Sequence, residues 1–355
     1  MNAEHPDSDV RLARQAYDLT ADLMTPQPRI YWTDLAVTTL LAYGGLYLAM
    51  TSGSAAVTWS AAVVAVFAVY RGLSFIHELT HLRSHEAPGF KIAWNALIGV
   101  PFLAPSLLYD GVHSLHHAKD RYGTARDPEY LALARSTPWG IAGFVAVAAL
   151  APLGQVLRFG IMTPVSLLVP AVRRMAVARA SAMTINPGFQ RQDHEMAARP
   201  AWLAQEIGCW LWSWTVAGLA IAGVIPVRAV VVGVAVSAAA TVINQLRTAG
   251  AHAWENDGGK MSFPGQFRDS VNVPPPALLP ALWAPVGLRY HALHHLLPRL
   301  PYHNLAKAHR RLAAALPATS AYHAVNQPNL RTALAGLAAK ARANRAAPQG
   351  RRPGV

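Results

Sequence analysis

The chain of 355 residues is 53% apolar and only 14% charged, with a mean hydropathy of +0.21. Soluble domains carry about 25% charged residues, so this balance argues against an ordinary water-soluble enzyme and for a membrane protein. The net charge of +13 comes from Lys and Arg lying mostly between apolar stretches, with no basic helix or aromatic–basic module. That pattern indicates cytoplasmic loops and tails rather than nucleic-acid binding.

Taken in chain order, Met1 to Asp22 is polar and shows no cleavable signal peptide. Four apolar segments then approach the roughly 20 residues that a membrane span requires. Leu35–Met50 is short, with Tyr31 and Trp32 as expected interfacial anchors. Ala55–Ile76 is clear, and Arg71 lies near enough to one end to snorkel. Ile207–Val227 and Ala229–Leu246 are separated by a tight turn around Pro226 and Arg228. Two helical hairpins are predicted.

Two further apolar regions are interrupted. Ile92–Tyr109 contains Pro101 and Pro105. Trp139–Leu157 is followed by Arg158 and by Phe159–Val172, with Pro164 and Pro170. Such breakers predict re-entrant or interfacial helices. Arg11, Arg14 and Arg29 before the first span, and the uncharged Thr51–Ser54 after it, place the N-terminus, the segment after the second span and everything beyond Leu246 in the cytoplasm. The region Trp139–Val172 is therefore expected to dip in and return. The tail Lys340–Val355 is expected to be disordered or loosely held to anionic lipid. Cys209 is the only cysteine, which excludes a disulfide framework and a cysteine-rich zinc site.

Nine of the 15 histidines fall in four groups. His77 and His81 form H-E-L-T-H, His113, His116 and His117 form H-S-L-H-H, His252 stands alone, and His291, His294 and His295 form H-A-L-H-H. On a helix, positions i, i+3 and i+4 share a 100° arc, so each group can turn its imidazoles to one place. An H-x-x-H-H pattern should arise by chance roughly 0.03 times in such a chain, so two copies beside a third box indicate a metal site. His5, His194, His303, His309 and His323 are expected to be solvated or structural. His85, 80° around the helix from His77, could be an outer-shell partner. Nine imidazoles exceed the need of one zinc, whereas imidazole suits iron. Two irons with open positions would serve dioxygen chemistry on an unactivated C–H bond.

These boxes resemble those of the integral-membrane fatty acid desaturase superfamily, with H-x-x-x-H, two H-x-x-H-H boxes and one histidine between the last two. The segments Pro105–His113 and His291–Asn304 are also similar to desaturase segments. The resemblance covers roughly Leu35–Leu312. It implies an all-α membrane protein of two hairpins, four spans in all, capped by a cytoplasmic helical domain that holds two irons. The chain then divides into a cytoplasmic N-terminal segment (1–34), a membrane catalytic domain (35–312) and a C-terminal helix with a basic tail (313–355). By position, His77, His81, His113, His116, His117, His252, His291, His294 and His295 would be the iron ligands. Some relatives carry an asparagine four residues before the isolated histidine. Here that position is Thr248, with Asn244 a further turn back, and either could act in the outer shell.

The implied activity is dioxygen-dependent insertion of a double bond into a membrane-lipid acyl chain. Di-iron hydroxylation or ketolation of a lipid or carotenoid is the alternative. No H-P-G-G haem signature is present, so electrons are expected from a separate ferredoxin, or a small cytochrome with its reductase. The expected location is a bacterial inner membrane, with termini and active site cytoplasmic. Two rivals remain. His77-Glu78-Leu-Thr-His81 also matches the zinc metalloprotease motif H-E-x-x-H, with Asp110-Gly111 downstream of Pro105, but that reading leaves seven clustered histidines unexplained. A haem- or metal-carrying membrane module needs fewer histidines, or ligands nearer the midplane.

Overall fold

A computed structural model of the protein describes residues 6–192, 200–256, 258–277 and 279–346. The helices in chain order begin with α1 (Pro6–Thr20), α2 (Pro28–Thr51), α3 (Ala55–His81), α4 (Phe90–Trp94) and α5 (Val112–His116). Next come α6 (Pro138–Ala146), α7 (Ala151–Val156), α8 (Thr163–Leu168), α9 (Pro170–Ala180), α10 (Pro200–Ile221) and α11 (Val227–Ala249). The last are α12 (Phe263–Asp269), α13 (Pro280–Trp283), α14 (His291–Leu296), α15 (Tyr302–Ala315), α16 (Ala321–Ala324) and α17 (Leu330–Ala346). Among the described residues no strand forms, and isolated bridges join His252 to Ser270 and Asn272 to Tyr290 and Asn326. The chain folds as two interleaved units, residues 26–114 with 147–244, and residues 1–25 with 115–146 and 245–355.

In the first of these units α2 and α3 form a hairpin. Its turn is fixed by Ser54, whose hydroxyl accepts the Val57 N–H at the start of α3. Small residues let the two backbones approach, as in membrane helix pairs generally. Ala42 and Ala49 of α2 and Ala61, Ala65 and Ala68 of α3 are buried. A Cβ built on Gly45 would lie 3.0 Å from Ala61 O and from Ala65 N. Val236 and Ala240 of α11 complete this core. Arg71 does not snorkel. It pairs with Asp34 of α2, its Nε 3.0 Å from Oδ1. Tyr31 is likewise no lipid-facing anchor, being buried with its hydroxyl donating to Glu78 at 2.7 Å.

Of the expected breaks, the one at Pro170 forms, with Val169 extended between α8 and α9, while the one at Pro164 is absorbed into helix. From Pro138 to Leu168 the chain is one helical run of 31 residues, with Pro152 and Pro164 in the first turns of α7 and α8. Leu157–Met162 adopts π geometry. The run passes through Arg158 because that charge is neutralised: Arg158 and Arg173 both pair with the buried Glu206 of α10. Arg158 also donates to Thr163 Oγ1 at 2.7 Å. The region Ile92–Tyr109 does break, as α4, a π segment over Asn95–Gly99, and a short 3-10 turn at Ser106–Leu108.

The second unit packs α1 against α15 and α12, and α12 against α14. Arg311 pairs with Asp22, and Asn304 Nδ2 donates to Leu23 O at 2.7 Å. His309, expected at the surface, is buried and hydrogen-bonded to Tyr322 Oη at 2.8 Å. Burial holds its pKa down at about 4, so it is neutral at neutral pH. His303 and His323 are half-buried. His5, His194 and residues 347–355 lie outside the described residues. Lys340–Ala346, expected to be disordered, continue α17, whose Leu337 and Ala341 are buried.

Three helical stretches are long and apolar enough to cross a membrane: α3, the run Pro138–Leu168, and α11. The expected spans α2 and α10 have 24 and 22 residues but are not among the three. Asp34, Tyr43 and Tyr47 dilute the first, and Gln205, Glu206 and four tryptophans dilute the second. The run Pro138–Leu168 is tied at Ala148 O to Thr241 of α11 and at Gly160 O to Trp214 of α10, at 2.7 and 2.9 Å.

Two outcomes are expected. Gly45→Leu should destabilise the protein in a thermal melt in detergent, by about 1–3 kcal/mol or more as over-packing generally does. Gly44→Leu, where nothing lies within 4 Å, should be nearly neutral. For topology, the His116 and His252 rings meet at 5.3 Å, so the chain crosses the bilayer an even number of times between them. Reporter fusions after Arg135, Arg174 and Lys260 should all report one side, and an external signal at Arg174 would overturn the non-crossing course of Pro138–Leu168.

Candidate metal centre

The boxed histidines gather within each unit, and the boxes do not act as blocks. His77 and His81 occupy the last turn of α3, and His113 lies on α5. Their ring centroids are 4.3 Å (77–113), 5.0 Å (81–113) and 5.4 Å (77–81) apart. Their ligating nitrogens lie within 4.8 Å of one another. Tyr109 stacks on His113, with its hydroxyl 3.2 Å from Nδ1.

His116, one turn further along α5, belongs to the other unit and gathers with His252, His291 and His295. All four are buried, and their ligating nitrogens again lie within 4.8 Å. His291 Nε2 is 2.9 Å from His252 Nε2 and 3.2 Å from His295 Nε2. His117 and His294 meet beside them, Nε2 to Nε2, at 3.1 Å. A metal–imidazole bond of about 2.0–2.1 Å places cis nitrogens about 3 Å apart, so these separations suit a shared cation. Burial pushes the pKa values of His252 and His295 well below the usual 6.5. Neutral rings with converging lone pairs are what a metal requires. The donor set therefore fits iron, with imidazole alone and no thiolate.

The groups behind the rings carry little signal in the sequence. Burial opposes a positive charge on His116, but Asp127 outweighs it and raises the pKa. Both Asp127 carboxylate oxygens lie 3.0 Å from His116 Nδ1. The backbone N–H groups of Gly123 and Glu129 hold that carboxylate at 2.8 Å. His252 is braced indirectly: its Nδ1 is 2.9 Å from Tyr122 Oη, which donates to Asp269 Oδ2 at 2.8 Å. Such partners fix the tautomer and aim the other nitrogen. Asp127, eleven residues after His116 in a turn, could have been suspected as an acid close to a box. Tyr122 and Asp269 have no local signature at all.

The helical registers on which the outer-shell expectations rest do not form. Helix α3 ends at His81, so His85 falls in an exposed turn and its helical register with His77 does not exist. His252 follows the end of α11 and sits in a bridge to Ser270, so neither Thr248 nor Asn244 is related to it by a helical turn. Glu78 accepts from Tyr31, and Asp110 accepts from Lys91 at 2.6 Å and from Trp202 at 2.9 Å. The acids of the metalloprotease reading are thus engaged in packing contacts.

Comparison with known proteins agrees with this chemistry. The family described as "Fatty acid desaturase" matches residues 53–326. A protein of Caulobacter vibrioides (strain NA1000 / CB15N) named ceramide hydroxylase is 57% identical over 331 residues, covering 93% of this chain and 94% of that protein. The chain belongs to the fatty acid desaturase family and is an oxidoreductase of this membrane-bound, di-iron group.

Proposed function

We propose that the protein is a dioxygen-dependent di-iron hydroxylase acting on the hydrocarbon part of a ceramide, with electrons delivered by a separate ferredoxin or small cytochrome. The observation that carries this reading is the 57% identity to a ceramide hydroxylase along nearly the whole of both chains. It favours the hydroxylase alternative over the acyl-lipid desaturation expected from the boxes. The reaction replaces one C–H by C–OH. The second oxygen atom leaves as water, with two electrons from the donor and two protons from solvent.

His77, His81, His113, His116, His117, His252, His291, His294 and His295 are the ligands in this reading. Bound iron would supply dioxygen activation. The protein's own residues keep His252 and His295 neutral by burial, orient His116 through Asp127, and orient His252 through Tyr122 and Asp269. Burial of these rings also keeps bulk water from the centre.

Expression in a bacterium supplied with ceramide tests the reaction. Lipid mass spectrometry should show ceramide heavier by one oxygen atom, and none in a His116→Ala variant. Ceramide or acyl lipid lighter by two hydrogens would establish desaturation instead. Unaltered activity in His116→Ala would refute the site.

The bracing groups have their own test. Asp127→Asn and Tyr122→Phe each preserve side-chain size. Each should weaken metal retention against a chelator by about 10–100-fold, the usual cost of losing a partner behind a ligand. Wild-type protein from iron-replete cells should hold two irons per chain by elemental analysis, and one zinc as the active metal would favour the protease.

A further inference from the structure

Helices α6 and α17 belong to the same unit and pack against each other. None of the nine residues of α6 is buried, and Trp139 is 85% exposed. This helix opens the run Pro138–Leu168, whose most apolar window has no buried residue. So apolar a stretch with no residue buried inside the protein belongs in lipid, and Trp139 at its start has the chemistry of a membrane–water interface.

Helix α17 is held next to that point. Asn344 Nδ2 donates at 2.8 Å to the carbonyl oxygen of Ala134, five residues before Trp139. The helix carries Arg331, Lys340, Arg342 and Arg345 and no acidic residue. Lys340 pairs with Glu255 at 3.2 Å, while Arg342 and Arg345 are exposed on the end nearest Ala134. That end lies at the depth of lipid headgroups.

We propose that the C-terminal end of α17 is a docking surface for anionic lipid headgroups, with Arg342 and Arg345 as the contacting cations. An acidic electron-donor protein would also match the charge. The bilayer is favoured because the cations sit beside a helix that must itself be in lipid. Each cation near an anionic membrane surface strengthens association about fivefold, so the pair is worth about 25-fold.

The test uses full-length protein in nanodiscs of phosphatidylcholine, alone or mixed with phosphatidylglycerol. Ala343→Cys, exposed between the two arginines, carries a fluorophore, and Cys209 is buried. In the mixed discs a headgroup quencher is carried, at equal mole fraction, either by phosphatidylglycerol or by phosphatidylcholine, so quenching reports which lipid gathers at the label. Quenching should be stronger when phosphatidylglycerol carries the quencher, and salt should remove the difference. The difference should also be lost when Arg342→Gln and Arg345→Gln are combined. Equal quenching by the two carriers, or a difference indifferent to the double substitution, would overturn the proposal. So would protection of the label only on addition of an acidic ferredoxin.

Discussion

Everything in this protein depends on keeping imidazoles neutral and aimed while they are buried together. A histidine in water is free to rotate and to take a proton near pH 6.5. Burial removes the proton from His252 and His295, but it leaves the ring free to choose its tautomer. The second nitrogen decides that choice. A carboxylate on His116 Nδ1, and a phenol backed by a carboxylate on His252 Nδ1, turn each Nε2 inward. The two braces differ in strength. Asp127 contacts its ring directly, whereas Asp269 Oδ2 is 3.6 Å from His252 Nδ1 and acts through Tyr122. Four imidazoles around one point therefore need not be equal donors.

The helical framework follows from that demand. His77 and His81 are useful only if the end of α3 is fixed, and α3 is fixed along its length. Small residues near Gly45 set its distance from α2. The Arg71–Asp34 pair sets the register further along, and Tyr31 to Glu78 sets it within the box itself. Charged pairs at such depth are costly unless both partners are satisfied. Their placement across the α2–α3 contact fits a role in specifying alignment.

The sequence made the chemistry legible because metal ligation imposes a local spacing. Within the two units, seven of the nine boxed histidines reach one of two gatherings, and His117 and His294 pair beside the second. His309, outside the boxes, is structural, held by its buried bond to Tyr322. What is not legible has physical causes. The helical registers expected for His85 and Thr248 presume helices that continue past His81 and Ala249, and helix ends are set by tertiary context. Arg158 reads as a break because its partner Glu206 is 48 residues away. The proline-containing run stays helical because prolines in a first turn cost no hydrogen bond. Hydropathy treats Tyr31 as an anchor because composition cannot see the carboxylate that its hydroxyl meets.

The same distinction separates the class of chemistry from its outcome. Ligand identity and spacing decide that the centre can oxidise a C–H bond, and a handful of positions encode it. Whether oxidation ends in an alkene or an alcohol depends on holding the substrate carbon to within about 1 Å of the right place. That precision is built by packing spread over many residues, none of which has a motif. Similarity confined to the boxes therefore says little about outcome. Identity of 57% to a ceramide hydroxylase across 331 residues extends well beyond the boxes, to positions where such packing is built. On the proposed reading it is therefore the full-length likeness, and not the boxes, that weighs for hydroxylation.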